Sequence, residues 1–308
     1  QKIMSLVQFG RSGSGLLHSL MDNHPEVSTL PSIYFSEYFD NSTWKKITIN
    51  GWNSIVDNFV KIYEVLFDSR SSVPIKSIEE TMIYNIGVKE GMTKMGDNRD
   101  HFISVDKNQF SLELKCLLNK LEEIDPLSFF KLAHIAYERT LKKFKDKNII
   151  FYHIHNPDVY TQLNLIQSDP KSNWIMMVRE PIQSCESWLR YCFNNNDHQV
   201  CTLRITKMLI EINNIVYKKN KSIGVRLEDL KNHPQKTIPI LCKWMGIKEH
   251  KNLYEMTMQG EKWWGDPTSP DYSDDGMNPF GNKSVKRKIG AILSENDQFI
   301  LSTLFYPF

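Results

Sequence analysis

The stretch VQFGRSGSGLLHSL, residues 7–20, indicates the fold class of this chain. Its apolar run stops at Gly10, a small polar loop follows, and apolar residues at helical spacing begin at Leu16. A strand that passes through a glycine-rich turn into a helix is the outline of a phosphate-binding loop. The lysine that such loops usually carry is missing from the stretch.

The residue types in this loop suit an anion. Gly10, Gly13 and Gly15 let the backbone turn tightly and approach a ligand without Cβ clashes. Free N–H groups at the following helix start would point at one anion, and Ser12 and Ser14 add hydroxyl donors. Neither the NTPase pattern Gly-x-x-x-x-Gly-Lys-Ser/Thr nor the dinucleotide pattern Gly-x-Gly-x-x-Gly is met. A glycine-rich turn that binds no ligand is the alternative.

The composition is that of a globular protein. The 308 residues are 41% apolar and 24% charged, which suits one large α/β domain or two small ones. A net charge of +2 gives no overall field to attract nucleic acid and no polybasic tail for a membrane surface. Any anionic ligand must therefore be met by a local cluster of basic groups.

The sequence shows no membrane or export signal. No apolar segment approaches the ~20 residues needed to cross a bilayer, and the opening KIMSLVQF is typical of a strand rather than a signal peptide. We therefore expect a cytoplasmic protein, unless a targeting segment precedes Gln1 in a longer chain. The odd number of cysteines and the lack of CxxC pairs predict reduced, buried thiols at Cys116, Cys185, Cys192, Cys201 and Cys242.

Short apolar runs followed by loops and helical patterns predict a parallel sheet with helices on both faces. In such a sheet, ligands bind at the carboxyl ends of the strands. The predicted strands are residues 3–9, 149–154, 174–178 and 222–225. Further helices are predicted over residues 181–193, 203–218 and 234–245 and from Ser294 onward, with a long irregular loop over 261–282.

A long helical interval separates the first two predicted strands. Residues 41–145 are far more than a normal crossover needs, so they predict a helical insertion within a single domain of residues 1–308. An insertion beside the ligand edge is a natural place for acceptor recognition; a cover for the sheet alone is the alternative. Its apolar residues have helical spacing at 52–67, 78–86, 111–124 and 127–144.

A second basic motif follows the third predicted strand. In WIMMVREPIQSCESWLRY, Arg179 ends the apolar run and Ser187 lies eight residues later in the next helix. A strand-end arginine lies at the ligand edge, and a serine two turns into the helix can face the same point and clamp a second phosphate. A surface arginine and a helix serine that never meet are the alternative.

Three blocks together resemble the sulfotransferase family. GRSGSGLLHSLMDNHPEV is similar to the family's 5′-phosphosulfate loop, and VREPIQSCES to its 3′-phosphate element. VRLEDLKNHP is similar to a Val-Arg-Tyr-Glu-Asp-Leu segment, with Leu227 in place of the tyrosine. The blocks occur in the family's order, and with their strands they cover the sheet-forming two thirds of the chain, but not residues 41–145.

The resemblance implies a three-layer α/β fold related to P-loop kinases and a donor, 3′-phosphoadenosine 5′-phosphosulfate (PAPS). Arg11 then takes the place of the missing lysine and stabilises charge on the bridging oxygen as the sulfuryl group leaves. Gly15 departs from the family, which usually has a hydroxyl residue there. The implied donor site comprises Arg11, Ser12, Gly13, Ser14, Gly15 and Leu16 for the 5′-phosphosulfate, and Arg179 and Ser187 for the 3′-phosphate.

Two residues are candidates for the general base that takes the acceptor's proton. Glu37, in LPSIYFSEYF, lies where carbohydrate and protein-tyrosine sulfotransferases place a catalytic glutamate, and burial among aromatic residues would raise its pKa. His155 ends the second strand, where other branches have a histidine or a lysine. A solvated Glu37 is the alternative for the first, and a packed strand histidine is the alternative for His155 and more so for His153.

The family's basic loop near the C-terminus, which covers the 3′-phosphate, resembles FGNKSVKRKIG. Lys286 and Arg287 are the candidates there, with a solvated basic run as the alternative. The family's transfer needs no metal in the donor site, and no set of residues with zinc spacing is evident. The two tryptophans at 263 and 264 are predicted to anchor their loop or to line the acceptor mouth.

The sequence thus predicts a PAPS-dependent sulfotransferase, closer to the carbohydrate and protein-tyrosine branch than to the cytosolic phenol-type enzymes. The expected acceptor is a hydroxyl on a carbohydrate, glycolipid or other small molecule, with no nucleic-acid partner. A nucleotide or small-molecule kinase would need the P-loop lysine that is absent. A nucleotide-binding module without catalysis remains the third possibility, because Gly15 and Leu227 depart from the family.

Overall fold

Strands and helices alternate along the chain in the computed structural model. The structure describes residues 1–307, with the exception of residues 32–34, 36, 72, 75–82, 85, 143–146, 156–158, 195, 220, 268, 270–271 and 282–288. The strands are β1 (Lys2–Gln8), β2 (Val27–Ser28), β3 (Val73–Pro74), β4 (Ile83–Tyr84), β5 (Ile149–His153), β6 (Asn173–Val178), β7 (Ser222–Arg226), β8 (Thr257–Met258) and β9 (Glu261–Lys262). The helices are α1 (Ser14–Met21), α2 (Asn41–Thr48), α3 (Ile55–Ile62), α4 (Ile86–Lys89), α5 (Lys107–Leu118), α6 (Pro126–Thr140), α7 (Val159–Ser168), α8 (Pro181–Asn194), α9 (His198–Glu211), α10 (Leu227–Asn232), α11 (Pro234–Met245) and α12 (Glu295–Leu304).

A five-stranded sheet forms the centre of the fold. Its strand order is β2-β5-β1-β6-β7, and every neighbouring pair is parallel. The strands predicted from apolar runs are confirmed to within one residue at each end. The edge strand β2 was not predicted, because two residues are too few to show a period.

The carboxyl ends of β1, β5 and β6 meet at one edge of this sheet. Leu6 of β1 is in register with His153 of β5 and with Ile175 of β6. Beyond the strand end, the Phe9 amide donates to the carbonyl oxygen of Met177 at 2.8 Å, so β1 stays attached to β6 up to the glycine loop. The chain places β2 and β5 on one side of β1 and then β6 and β7 on the other, so a crevice is expected beyond these ends.

The interval between β2 and β5 is mainly helical, as predicted, and three of its helices (α2, α5 and α6) begin at aspartate caps. The Asp40 carboxylate accepts the Ser42 amide at 2.6 Å before α2, and the Asp125 carboxylate accepts the Ser128 amide at 3.0 Å before α6. Proline occupies the first position of α6, where its missing N–H costs nothing.

One predicted helix of this interval is wrong. Residues 83–84 of the predicted helix 78–86 form β4, which pairs antiparallel with β3, and α4 begins only at Ile86. Residues 78–82 and 85 lie outside the described residues. The patterns at 52–67, 111–124 and 127–144 correspond to α3 with flanking 3-10 turns, to α5 and to α6. Apolar spacing alone did not distinguish a short hairpin strand from a helical turn.

Aromatic side chains fasten the interval to the sheet. Phe35 stacks on Phe130 of α6 with ring centroids 5.3 Å apart, and both are buried. The Tyr152 hydroxyl of β5 donates to the Phe35 carbonyl oxygen at 3.2 Å, deep in the core. Such rings bury large apolar areas, so this cluster fixes α6 and the segment around Phe35 against β5.

The C-terminal third follows the predictions with shifted bounds. The helices predicted at 181–193 and 234–245 are α8 and α11, and Gly246 ends α11 in the left-handed conformation, φ +79°. The pattern at 203–218 divides into α9, which begins earlier, and a 3-10 turn over Ile215–Lys218. Ser294 caps α12 in a reciprocal capping box with Asp297. The irregular loop includes β9, which pairs with β8.

All five cysteines are free thiols, and four of them are buried. The exception corrects the expectation of burial: Cys116 is exposed, because α5 buries the face that carries Phe110, Leu114 and Leu118. Within the described ranges, no helix combines the length and the apolar character that crossing a bilayer requires.

Candidate functional site

The glycine loop between β1 and α1 requires glycine at two positions. Gly10 and Gly13 have φ of +61° and +81°, a region that favours glycine. A Cβ atom at Gly10 would lie 3.0 Å from the Ser184 Cβ, and one at Gly13 would lie 2.6 Å from the Leu227 Cδ1. The loop is therefore held tightly between α8 and the start of α10. Leu227 packs directly on Gly13.

The two loop serines donate to protein groups. The Ser12 hydroxyl is buried and donates to the Met177 carbonyl oxygen at 2.8 Å, which ties the loop to β6. The Ser14 hydroxyl donates to the Gln8 side-chain oxygen, and the Gln8 amide donates to the His155 carbonyl oxygen at 2.5 Å. Both hydroxyl protons are thus used to hold the loop in place.

An anion at this loop would therefore have to be bound by backbone groups. The amide of Leu17 donates to the Gly13 carbonyl oxygen at 3.2 Å, so the amides of residues 14–16 precede the first intrahelical bond. These are the N–H groups that a helix start directs at an anion, and the helix dipole adds to their attraction. Leu16 contributes its amide to this set, while its side chain is buried in the core.

The second predicted motif reaches the same loop. Arg179, directly after β6, is buried, and its Nη1 donates to the Arg11 carbonyl oxygen at 3.4 Å. Ser187 is buried on α8, one residue before Trp188. The structure thus brings Arg179 to the glycine loop and places Ser187 on the helix that borders it.

Aromatic rings of α8 position several cations in front of the loop. The Arg11 guanidinium carbon lies 5.2 Å from the ring centroid of Trp188 and 5.3 Å from that of Tyr191. The Arg204 guanidinium carbon lies 4.5 Å from the Trp188 ring, and the Lys89 ammonium lies 3.5 Å from the Tyr191 hydroxyl. Cation–π contacts hold such groups in place without neutralising their charge. The result is a local cluster of positive charge on a chain that is nearly neutral.

His155 borders this cluster as a neutral imidazole. Burial first, then the charges of Arg11 and Arg204, lower the pKa of His155 to about 4, so the imidazole is neutral at pH 7. Its Nδ1 is buried and has no hydrogen-bond partner within the part of the chain that the structure describes. A neutral imidazole beside the cationic loop is able to accept a proton.

His153 fits the alternative of a packed strand histidine. It is buried in β5, and its ring centroid lies 5.7 Å from that of His18 and 5.2 Å from that of His155. Burial lowers the pKa of His153 well below its ordinary value, which keeps the ring neutral in the core. His155, two residues later, is the histidine that lies beside the charged cluster.

The expected burial of Glu37 is wrong. Glu37 is exposed, while Phe35, Tyr38 and Phe39 around it are buried. These aromatic side chains pack inward and leave Glu37 facing solvent. They do not form the apolar pocket that was expected to bury its carboxyl group. Its role as the base stays a prediction without that support.

Glu90, which belongs to none of the sequence motifs, lies beside the cluster. Burial, and then the charge of Asp266, raise the pKa of Glu90 to about 8, against the opposing effects of Lys89 and Arg11. The Trp263 indole donates to the Glu90 carbonyl oxygen at 2.9 Å. The prediction that the tryptophans anchor their loop is confirmed at this contact and at the Trp264 indole, which donates to the Gly96 carbonyl oxygen at 2.7 Å.

The remaining candidates concern the basic loop and metal binding. Lys286 and Arg287 lie outside the described residues. After them, the buried Glu186 carboxylate of α8 accepts three amides, those of Ala291, Ile292 and Leu293, each at 3.1 Å. Across the described ranges, no group of three histidine, cysteine, aspartate or glutamate side chains is arranged to hold a metal ion.

Comparison with known proteins identifies the fold. No protein-family model and no curated protein matches the sequence. The sulfotransferase domain of the Synechococcus PCC 7002 olefin synthase matches with a TM-score of 0.52 at 15% identity, over 99% of this chain and 94% of that domain. The chain has the α/β fold of a sulfotransferase domain.

Two further solved structures are less similar. The sulfotransferase domain of the curacin biosynthetic pathway gives a TM-score of 0.47 at 13% identity, over 98% of this chain and 96% of that one. A sulfotransferase from Mycobacterium avium gives 0.40 at 12% identity, over 82% of this chain and 66% of that one. At these identities the likeness concerns the fold, and the chemistry has to be argued from the site.

Proposed function

We propose that this chain transfers the sulfuryl group of PAPS to the hydroxyl group of a carbohydrate, glycolipid or other small molecule. The observation that carries the proposal is the convergence of Arg11, Arg179 and the amides of residues 14–16 at the carboxyl edge of the sheet, beside a neutral His155. PAPS has two separate anionic groups. The glycine loop would bind its 5′-phosphosulfate, and Arg179, which contacts this loop, would bind its 3′-phosphate.

The reaction is an in-line displacement at sulfur. The acceptor oxygen forms the new bond to sulfur while the bond to the bridging oxygen breaks, and that oxygen leaves with the electron pair on the 5′-phosphate. Arg11 and the loop amides stabilise the charge that develops there. The acceptor's proton passes to the imidazole of His155. An anion at the loop offsets the cations that depress the basicity of His155, so the base strengthens when the donor is bound.

We infer that the insertion takes part in acceptor recognition. Lys89 and Glu90 come from this interval, and they lie beside Arg11 and Tyr191 rather than behind the sheet. Trp263 fixes Glu90 from the C-terminal loop. This placement favours acceptor recognition over a purely covering role for the interval.

Calorimetry and a transfer assay test the proposal. We expect 3′-phosphoadenosine 5′-phosphate (PAP) to bind and ATP with magnesium to bind weakly or not at all. A library of glycans, glycolipids and small alcohols with labelled PAPS then identifies the acceptor. Binding of ATP without binding of PAP would refute the donor assignment. Binding of PAP with neither transfer nor sulfate release would favour the inactive nucleotide-binding module.

The base is tested by two substitutions in the same assay. His155→Ala is expected to lower kcat about 10²- to 10⁴-fold, the usual contribution of a general base, while Glu37→Gln stays near wild type because the residue is exposed. The opposite pattern would assign the proton transfer to Glu37.

Gly15→Ser is expected to strengthen donor binding. A Cβ at Gly15 meets no atom within 4 Å and the residue needs no unusual backbone, so the hydroxyl that the family usually has there can be added. One further hydrogen bond to the donor would lower the Kd for PAP about 2- to 10-fold. Calorimetry measures this, with Gly15→Ala as the control for helix propensity. An unchanged or weaker affinity in Gly15→Ser would show that the backbone amides already satisfy the hydrogen-bond acceptors of the bound phosphate.

Donor affinity is expected to fall above pH 8 because of Glu90. The raised pKa of Glu90, about 8, keeps it neutral at pH 7, and it becomes an anion beside the donor as the pH rises. The Kd for PAP should increase about 3- to 10-fold between pH 7 and pH 9. Glu90→Gln should flatten this dependence, whereas Glu123→Gln, which changes an exposed carboxylate in the turn between α5 and α6, should preserve it. Parallel pH curves for wild type and Glu90→Gln would contradict the assignment.

A further inference from the structure

Arg204 of α9 shares an aromatic ring with the loop arginine. Its guanidinium carbon lies 4.5 Å from the Trp188 centroid, and that of Arg11 lies 5.2 Å from the same centroid. The two cations come from elements nearly two hundred residues apart in the chain, and Trp188 of α8 holds both. This pairing is independent of the three sequence blocks, none of which includes α9.

The surroundings of Arg204 are those of an anion site rather than an ion pair. Its Nε is buried without a hydrogen-bond partner, and none of the ion pairs between described residues includes it. Two guanidinium groups around one indole repel each other, and the carboxyl group of Glu90, which is close enough to Arg11 to feel its charge, is neutral at pH 7. An anion placed between the guanidinium groups would remove this repulsion.

Arg204 also lies close enough to His155 for its charge to act on the imidazole. After burial and Arg11, its charge is the next cause that lowers the pKa of His155. Arg204 is therefore close both to Arg11, which is expected to stabilise the leaving oxygen, and to His155, the candidate base. The 3′-phosphate element, in contrast, is Arg179 with Ser187.

We propose that Arg204 binds the sulfonate oxygens of the donor, opposite Arg11, and acts on the sulfuryl group rather than on the nucleotide. The inference rests on the proposed function. During transfer, the bond from sulfur to the acceptor oxygen forms as the bond to the bridging oxygen breaks, and Arg204 stabilises the three remaining oxygens without bonding to sulfur. Arg204 is thus a catalytic residue that the motifs do not contain.

Comparison of PAP with PAPS tests this role, because PAP lacks the sulfuryl group. Arg204→Gln, which keeps a side chain long enough to pack on Trp188, should leave the Kd for PAP within about 2-fold of wild type and reduce kcat about 10²-fold. The assay uses labelled PAPS with the acceptor from the library, or sulfate release from PAPS. Arg204→Lys should recover part of kcat. Lys207→Ala removes a positive charge from an exposed position one turn along α9 and should change neither quantity.

A pH profile supplies a second readout that a structural role would not move. Removal of the Arg204 charge raises the pKa of His155, so the acidic limb of the kcat/KM profile should shift to higher pH in Arg204→Gln. Thermal unfolding of each variant checks the fold.

Three outcomes would overturn the role. They are an equal loss of PAP and PAPS affinity, a kcat equal to that of Lys207→Ala, and an unshifted pH profile in a folded variant with reduced kcat. Failure of the wild-type chain to bind PAP would instead overturn the proposed function, and this role with it.

Discussion

Replacement of Arg11 by alanine is expected to reduce sulfuryl transfer by about 10²- to 10³-fold, the usual cost of removing one donor aimed at developing charge. Arg11 lies in the glycine loop, and Trp188 and Tyr191 hold its guanidinium. Its effect is largest when charge builds on the leaving oxygen, so kcat should fall much more than the affinity for PAP. Single-turnover transfer from labelled PAPS, with calorimetry of PAP, separates the two quantities.

Two further variants make this result specific. Arg11→Lys keeps the charge and should recover part of kcat, although it loses the planar fork of the guanidinium. Arg139→Ala removes an exposed arginine that lies 3.7 Å from Glu113 on the surface, and it should be neutral. If Arg11→Ala transfers as fast as Arg139→Ala, Arg11 does not replace the P-loop lysine.

Gly13→Ala is expected to disable the loop by a different route. The φ of +81° costs a residue with a Cβ about 1–2 kcal/mol, and the new Cβ would lie 2.6 Å from the Leu227 Cδ1. Leu227 is buried, so it has little room to move away. The free energy of unfolding should fall by about 2–4 kcal/mol, and PAP binding should weaken as the amides of residues 14–16 lose their alignment.

A double variant separates the two causes. Leu227→Ala combined with Gly13→Ala removes the clash and leaves the backbone strain, so part of the loss in unfolding free energy measured in urea should remain relative to Leu227→Ala alone. Gly224→Ala is the matched control, because that glycine has no positive φ and a Cβ there meets nothing within 4 Å. Equal stability of Gly13→Ala and Gly224→Ala would contradict the account of the loop.

The sequence was most informative where the chain is buried in the sheet. The central strands β1, β5 and β6 are predictable because buried parallel strands appear as short, continuous apolar runs, and the edge strand β7 is predictable from its shorter apolar run. Apolar spacing predicts helix at the hairpin strand β4, because two residues carry no period of their own. Chain order alone also predicted that Arg11, His155 and Arg179 share one edge, since each follows a parallel strand.

Side-chain environment was less predictable. Glu37 was expected in an apolar pocket because of its aromatic neighbours, but those rings turn inward and leave it exposed. The Ser12 hydroxyl was expected to face a ligand, yet it donates to the Met177 carbonyl oxygen. Whether a polar group faces a ligand or the protein depends on contacts between distant segments, which local composition does not encode.

The sequence by itself determined the strand–loop–helix unit at residues 7–20 and its order relative to Arg179, because these features depend on local backbone chemistry and on the direction of parallel strands. Only the tertiary structure placed Lys89, Glu90 and Arg204 around Arg11. They come from α4, the turn after it and α9, and in the sequence they resemble any other charged residues. Packing on Trp188, Tyr191 and Trp263 brings them together, since desolvated charges interact according to distance in space, not separation along the chain.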